Sequence, residues 1–361
     1  MAVAAEPVLA AALWNPTSHH SQHAALGESP PFKRRKLSCG LQDIDTALDG
    51  GLDYGSILCM SGEASSGVKD LTLSILVEYL TSEKTSVATI IDTALSFDIK
   101  RLHGQILRRL QAEDNEDAQA RAMETLDRLN IMKVFDAVGL TESVAEVRDG
   151  LEGRDAGTGL DEAQLKPVER STIGDSEDDE DELLDDNHPR TVSVPAPPIV
   201  RVRNESTTRK PGLLVIDTIT APFSPLLKSN HVHGQDLMTS FMRSLRHLTI
   251  RRNLATLLIN TTVTYAQAKD EPPSIFASCG ARPALGMSFS NLLDTHLLVH
   301  EEPKEEEDAI LMYGSEKHSA RASRRQKLAS VVEVLSDRYG GRFGHWAAFE
   351  VDSGGCLRSI A

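Results

Sequence analysis

Ser61-Gly62-Glu63-Ala64-Ser65-Ser66-Gly67-Val68-Lys69-Asp70-Leu71 is the stretch from which the rest of the chain is read. The apolar run Ile57-Leu58-Cys59-Met60 precedes it, and Leu71 to Leu80 follows with helical apolar spacing. A glycine-bearing turn between a strand and a helix is the setting of a phosphate-binding loop. In a working loop the two glycines let backbone N–H groups curl around phosphates at a helix N-terminus, a lysine follows the second glycine, and the next hydroxyl holds Mg²⁺. Gly62 and Gly67 keep that spacing, but Val68 stands where the lysine belongs and Lys69 where the hydroxyl belongs. One step along a helix start turns a side chain by roughly 100°, so Lys69 does not inherit the missing lysine's geometry.

Two readings of the loop follow. Either Lys69 reaches back to the phosphates as a point charge, binding nucleotide weakly without a well-held metal, or the loop is a relic that caps its helix. The candidate nucleotide-contacting set is Gly62, Glu63, Ala64, Ser65, Ser66, Gly67, Val68, Lys69 and Asp70, together with Asp217. Asp217 ends Gly212-Leu213-Leu214-Val215-Ile216-Asp217, the clearest strand in the sequence. Four aliphatics ending in Asp form the Walker B pattern, whose carboxylate holds the Mg²⁺ shell. Alone, such a strand reads as an ordinary buried one whose Asp caps the next turn; beside the glycine loop the Walker reading prevails.

Further out, Val87 to Asp92, Asn130 to Phe135 and Ala255 to Asn260 read as strands. Helices are expected over Ile99 to Gln111, with Ile99, Leu102, Ile106 and Leu110 inward, over Asp114 to Leu129, and over Leu140 to Leu151. Another is expected over Gly234 to Arg252, with Leu237, Phe241, Leu245 and Leu248 inward. This alternation predicts an α/β fold with a mostly parallel central sheet and helices on both faces. Leu297 to Val299, Ala309 to Met312, Val331 to Leu335 and Trp346 to Val351 read as later, antiparallel strands.

With 361 residues the chain has ample apolar content for a core, and its net charge of −15 argues against coating nucleic acid through bulk electrostatics. Much of that charge lies between Asp175 and Asp186, inside an acidic, Gly-, Ser- and Pro-rich stretch. Residues 152–210 are therefore expected to be a disordered insertion, and 1–36 a disordered arm before a core spanning 37–361. Cys39, Cys59, Cys279 and Cys356 lack metal-ligand spacing and read as reduced thiols. No apolar run approaches a membrane span and no secretory signal opens the chain, so no membrane partner is expected. Lys33-Arg34-Arg35-Lys36, after Pro30-Pro31, is a cluster of the kind read by nuclear import, and points to the nucleus.

Leu37-Ser38-Cys39-Gly40-Leu41 with Asp45 and Gly50-Gly51-Leu52, the Gly62-Glu63 loop, Leu213 to Thr220 and Arg282-Pro283-Ala284-Leu285-Gly286 together resemble the eukaryotic RecA-like strand-exchange recombinases. Val134-Phe135-Asp136, Ser224-Pro225-Leu226-Leu227 and Ser288-Phe289-Ser290 are similar to the D-type paralogue. The resemblance implies a RecA-like P-loop ATPase core that binds ATP with Mg²⁺ and assembles with other RecA-like paralogues and the recombinase. It further implies work in homologous recombination and DNA repair, with two loops near single-stranded DNA. By position these are Ser224 to Gln235, with Lys228, His231 and His233, and Thr262 to Arg282, with Tyr265, Lys269, Phe276 and Arg282. Such residues suit stacking against bases; equally, Tyr265 and Phe276 suit packing the loop onto its own protein.

Departures from the family pattern matter as much. Ala94 stands where a water-orienting Glu is expected, and Thr261 replaces the sensor Gln. Phosphoryl transfer depends almost wholly on positioned charge, so the chain is expected to have no hydrolytic residues, at most weak ATP binding and no well-held Mg²⁺. The alternatives are an active DNA-dependent ATPase in which Lys69 has taken over the lysine's role, and a structural RecA-like subunit of an unrelated complex such as Elongator.

Overall fold

The computed structural model describes residues 35–113, 117–157, 212–264, 273–305, 308–309 and 327–360. The chain forms two units, Met1–Arg148 with Lys210–Ala361, and Asp149–Arg209. Of the second, residues 149–157 are described and are helical, so the insertion expected from 152 opens with helix; its acidic centre lies outside the described residues.

The first unit is built on a nine-stranded sheet. Its elements begin with the antiparallel pair β1 (Lys36–Leu37) and β2 (Leu52–Asp53), which flanks helix α1 (Gln42–Ala47). Then come β3 (Ser56–Gly62), α2 (Val68–Ser82), β4 (Ala88–Asp92), α3 (Ile99–Ala112), α4 (Ala118–Leu126), β5 (Leu129–Lys133) and α5 (Ala137–Gly157). The chain continues with β6 (Gly212–Asp217), α6 (Thr220–Ser229), α7 (His231–Arg252), β7 (Leu254–Asn260), the short strands β8 (Thr262–Thr264) and β9 (Ala281–Pro283), and α8 (Gly286–Ser290). It closes with β10 (Thr295–Pro303), β11 (Leu328–Asp337), β12 (Trp346–Val351) and β13 (Leu357–Ser359). The sheet order is β13-β12-β11-β10-β3-β7-β6-β4-β5. From β10 to β5 every neighbour is parallel, whereas β10 to β13 are successively antiparallel.

Continuous apolar runs explain the centre. Every residue of β3 and β7 is buried, as are Leu213 to Asp217 of β6, which is the burial of parallel strands covered on both faces. Helix α2 buries residues around most of its circumference, Leu71, Leu73, Ile75, Leu76 and Leu80 among them, so it lies within the core rather than on it. Helix α3 has one inward face, Leu102, Ile106 and Leu110, and ends its N-terminus with Asp98 accepting the Arg101 N–H at 3.0 Å.

Several expectations are corrected. Ile99, at the first position of α3, is 46% exposed rather than inward, because it lies beyond the edge of the core. In α7 Met238, not Leu237, shares the buried face with Phe241, Leu245 and Leu248. Ser224 to Gln235 is not a loop: α6 and α7 occupy it, with Asn230 alone between them accepting the His233 N–H at 3.1 Å. The ends of the Thr261–Pro283 connection are likewise ordered, β8 pairing antiparallel with β9. Strand β10 is parallel to β3, not antiparallel throughout. Ala309, expected in a strand, is helical, and 310–312 lie outside the described residues.

The α6–α7 corner depends on Gly234. A Cβ there would lie 2.9 Å from the Leu227 nitrogen and 3.0 Å from its Cα, so the two backbones touch. Gly234→Ala is expected to destabilise the fold by about 1–3 kcal/mol through overpacking, measured as a lower denaturant midpoint at unchanged slope. An unchanged midpoint would show that the corner yields freely.

Candidate nucleotide site

In open α/β sheets ligands bind at the carboxyl ends of the parallel strands. Here that edge brings together Ser61 and Gly62 of β3, Asp92 of β4, Asp217 of β6 and Asn260 of β7; Ser61 is register partner of Asn260, and Asp92 of Asp217. The loop between β3 and α2 closes on itself, since the Ser66 N–H and hydroxyl both donate to the Glu63 carbonyl, at 3.1 and 2.8 Å. Gly67 has φ of 90°, the left-handed region that favours glycine, and a Cβ there would meet the Phe349 ring and the Ser330 hydroxyl at 2.9 Å. A Cβ on Gly62 would collide with a Val68 methyl and lie 2.7 Å from the Val299 carbonyl. Val68 is 2% exposed and belongs to the core, so the position of the expected lysine is filled by an apolar contact inside the turn. Glu63, Ala64 and Ser65 face solvent. Burial, and after it the charge of Glu63, raises the Glu301 carboxyl, which places two acids near the loop.

Lys69 is partly buried, and its Nζ donates to Ser96 Oγ at 2.7 Å. Ser96 belongs to the turn after β4, whose N–H groups at Ser96 and Phe97 donate to the Asp92 carboxylate at 3.3 and 3.1 Å. Beside it Asp217 is 6% exposed and its Oδ1 has no hydrogen-bond partner. Burial raises the Asp217 carboxyl, Asp92 adds to this, and Lys69 opposes it. Asp70 pairs with Arg101 of α3, although burial still holds its carboxyl above the usual range. Ala94 contributes only its N–H, to the Asp217 carbonyl at 3.2 Å.

A buried polar chain that the sequence does not announce runs along the same edge. The Thr261 N–H donates to Thr220 Oγ1 at 2.9 Å, which donates to Asn260 Oδ1 at 2.6 Å. Asn260 Nδ2 donates to Ser61 Oγ at 2.9 Å, leaving the Ser61 hydroxyl to donate to His296 Nε2 at 2.7 Å. His296 then carries its proton on Nδ1, 3.1 Å from Ser290 Oγ. Burial pushes His296 down to about 4. Ser61, Asn260 and His296 are each at most 1% exposed, so each hydrogen bond stands in for water that cannot enter.

The residues expected near DNA divide between two places. Lys228, in the last turn of α6, and His231, at the start of α7, are exposed on either side of Asn230. Arg282 lies on β9 opposite Val263, and Tyr265 and Lys269 lie outside the described residues. Phe276 packs its ring against His300 and Trp346, with centroids 5.1 and 5.4 Å away, the packing alternative raised from sequence. Its segment is pinned by Glu333, fully buried, whose carboxylate accepts the Ser274 hydroxyl at 2.6 Å and the Ile275 N–H at 2.7 Å. Among the described residues no group of three or more His, Cys, Asp or Glu could hold a metal ion, and no helix is long and apolar enough to cross a membrane.

No family model and no curated protein matches the sequence. Among solved structures, the crystal structure of the RadB recombinase is similar, with a TM-score of 0.51 and 14% identity over 90% of this chain and 100% of that one. The α/β sheet with its flanking helices thus shares the fold of that structure.

Proposed function

We propose that this chain is a RecA-like recombinase paralogue of the D type, acting in homologous recombination and DNA double-strand break repair in the nucleus. It serves as a subunit or adaptor that supports a recombinase filament, through other RecA-like subunits, and does not turn over ATP. The observation that carries this is the loop itself, which keeps its strand, glycines and helix while Val68 fills its interior and Lys69 is engaged by Ser96. Bound Mg²⁺·ATP would supply the phosphoryl chemistry of such a fold, but the residues present do not fit it. The cradle has an apolar side chain where a phosphate-binding cation is needed, two acids nearby, no hydroxyl at 69, and Ala94 where a base would stand. Asp92 is committed to the N–H groups of its own turn.

What persists is shape. A buried, hydrogen-bonded strand edge carries the α6–α7 corner and the β8–β9 pair at fixed positions, which suits docking to a neighbouring subunit and to single-stranded DNA. The active-ATPase alternative needs Lys69 in the anion cradle, and the Lys69–Ser96 bond disfavours it. Affinity purification of the tagged full chain, with mass spectrometry of what accompanies it, tests the reading: RecA-like recombination proteins are expected. Recovery of tRNA-modification subunits in their place would overturn it in favour of the structural alternative.

A further inference from the structure

The basic run Lys33-Arg34-Arg35-Lys36 is a sequence signal that the docking reading leaves unused, and its second half is built into the fold. Lys36 opens β1 and is register partner of Asp53 in β2, as Leu37 is of Leu52. Its Nζ donates to the Asp49 carbonyl at 2.7 Å and the Leu48 carbonyl at 3.3 Å, with the Asp49 and Asp53 carboxylates at 3.4 and 3.7 Å. The ammonium thus covers the carbonyls just past α1, the end of a helix that favours a cation. Arg35 pairs with Glu83, just past α2, and its guanidinium lies 5.9 Å from the centroid of the Tyr54 ring. Its carbonyl accepts the Tyr54 N–H at 3.3 Å. Leu37 is 5% exposed and joins the core. Gly51 passes so close that a Cβ there would lie 2.3 Å from the Leu37 carbonyl oxygen.

A receptor that reads a basic run as an import signal takes it as an extended peptide, with backbone and side chains both available. Neither is available at Arg35 or Lys36: their charges are held by Glu83, Asp49 and Asp53, and their backbone is held by β2 and Tyr54. We propose that β1 is a releasable strap. Paired with β2 it fastens the start of the folded unit to α1 and α2; released, it presents Arg35 and Lys36, with Lys33 and Arg34 before them, to the acidic groove of an import receptor, and the two states exclude each other. The pairing at stake is two residues long and lies outside the nine-stranded sheet, so it opens without disturbing the central strands. Opening uncovers Leu37 and strips Asp49 and Glu83 of their cations, so the closed state dominates in the folded chain by itself. In a chain of net charge −15, four successive cations are the feature that an acidic groove selects. This rests on the nuclear part of the functional reading and deepens it, adding a control on entry; the state of the glycine loop has no bearing on it.

Titration of the labelled full chain with a purified armadillo-repeat import receptor, read by fluorescence anisotropy, tests this on native protein, on Leu37→Asp and Gly51→Ala, and on each of those variants with Arg35→Ala/Lys36→Ala added. Leu37→Asp puts a charge into the core beneath β1, and Gly51→Ala drives a methyl group against the Leu37 carbonyl. A binding-competent state that is a tenth of the population or less weakens apparent affinity by about tenfold or more. Both variants are therefore expected to bind the receptor at least about tenfold more tightly than native protein. That gain is expected to vanish when Arg35→Ala/Lys36→Ala is added. Equal affinity in native protein and the two variants, binding by none of them, or a gain that survives the loss of Arg35 and Lys36 overturns the proposal. Should both variants unfold throughout, hydrogen exchange on native protein decides: the Tyr54 amide, which donates to the Arg35 carbonyl, is expected to lose protection when receptor saturates the chain, while the amides of β3 and β7 keep theirs. Unchanged Tyr54 protection in the complex overturns the proposal. Each of these failures leaves the recovery of recombination proteins untouched, and failure of that recovery defeats the functional reading beneath.

Discussion

Arg342→Ala is expected to lower the stability of the fold by about 3–5 kcal/mol, the effect of stripping one partner from a buried ion pair. The guanidinium meets Asp337 in a two-pronged contact, Nε to Oδ2 at 2.6 Å and Nη2 to Oδ1 at 2.9 Å. It also donates to the Leu48 carbonyl and to Thr295 Oγ1, both at 3.1 Å, with Asp53 at 3.5 Å. One side chain therefore ties the end of α1, β2, the start of β10 and the end of β11. Without it the fully buried Asp337 carboxylate would lose its counter-charge. Chemical denaturation at neutral pH measures this as a loss in midpoint; a loss below about 1 kcal/mol, the range of a solvent-exposed pair, would contradict the account. The sign with pH follows from Arg342 holding Asp337 below its ordinary value of 3.8, chiefly through their hydrogen bonds. The contribution is complete above that value and is lost as pH falls through the lower folded one.

The second large effect belongs to His296. Its folded value near 4 lies below the ordinary 6.5 because burial disfavours the charged ring. Between those values the unfolded chain binds more protons than the folded one, so stability rises with pH and the full contribution is present above about 6.5. Acidification from there to about 4 should remove on the order of 3 kcal/mol, at 1.36 kcal/mol per pH unit. In His296→Gln that slope should be absent, so the difference between the two stability-against-pH curves should itself carry it. At neutral pH the variant should also lose about 1–3 kcal/mol, from buried Ser61 or Ser290 hydroxyls left imperfectly matched. Parallel curves for the two proteins would show that the Ser61–His296–Ser290 chain is not closed as described.

The parts legible in the sequence are those encoded by neighbours along the chain. Leu213 to Ile216 and Leu257 to Ile259 are unbroken apolar runs of the kind a doubly covered strand carries, and Gly62 and Gly67 mark the turn whichever residue follows them. Side-chain partners across the sheet edge were not legible, because they depend on register. Ser61 and His296 are 235 positions apart, and Lys69 and Ser96 27 apart. Helix α6 lies where the family resemblance implied a loop, and it holds Pro222 and Pro225, residues that ordinarily break a helix interior. Pro222 falls in the first turn, where its missing N–H has no helical acceptor, and Pro225 removes a single bond from a short helix packed through Phe223 against Phe241. Leu237 and Met238 are both apolar and adjacent, so periodicity alone could not say which faces inward. The charge exchange at residues 68 and 69 was legible as a departure, but its destination on Ser96 required the fold.

The account stands on the glycine loop holding its form without serving as an ATP engine. Calorimetric titration of Mg²⁺·ATP into the purified full chain, with phosphate release followed in the same sample, tests this most directly. No saturable heat up to millimolar nucleotide and no phosphate release above buffer are expected. Micromolar binding that disappears in Lys69→Ala, or phosphate release that disappears in Asp217→Ala, would contradict it.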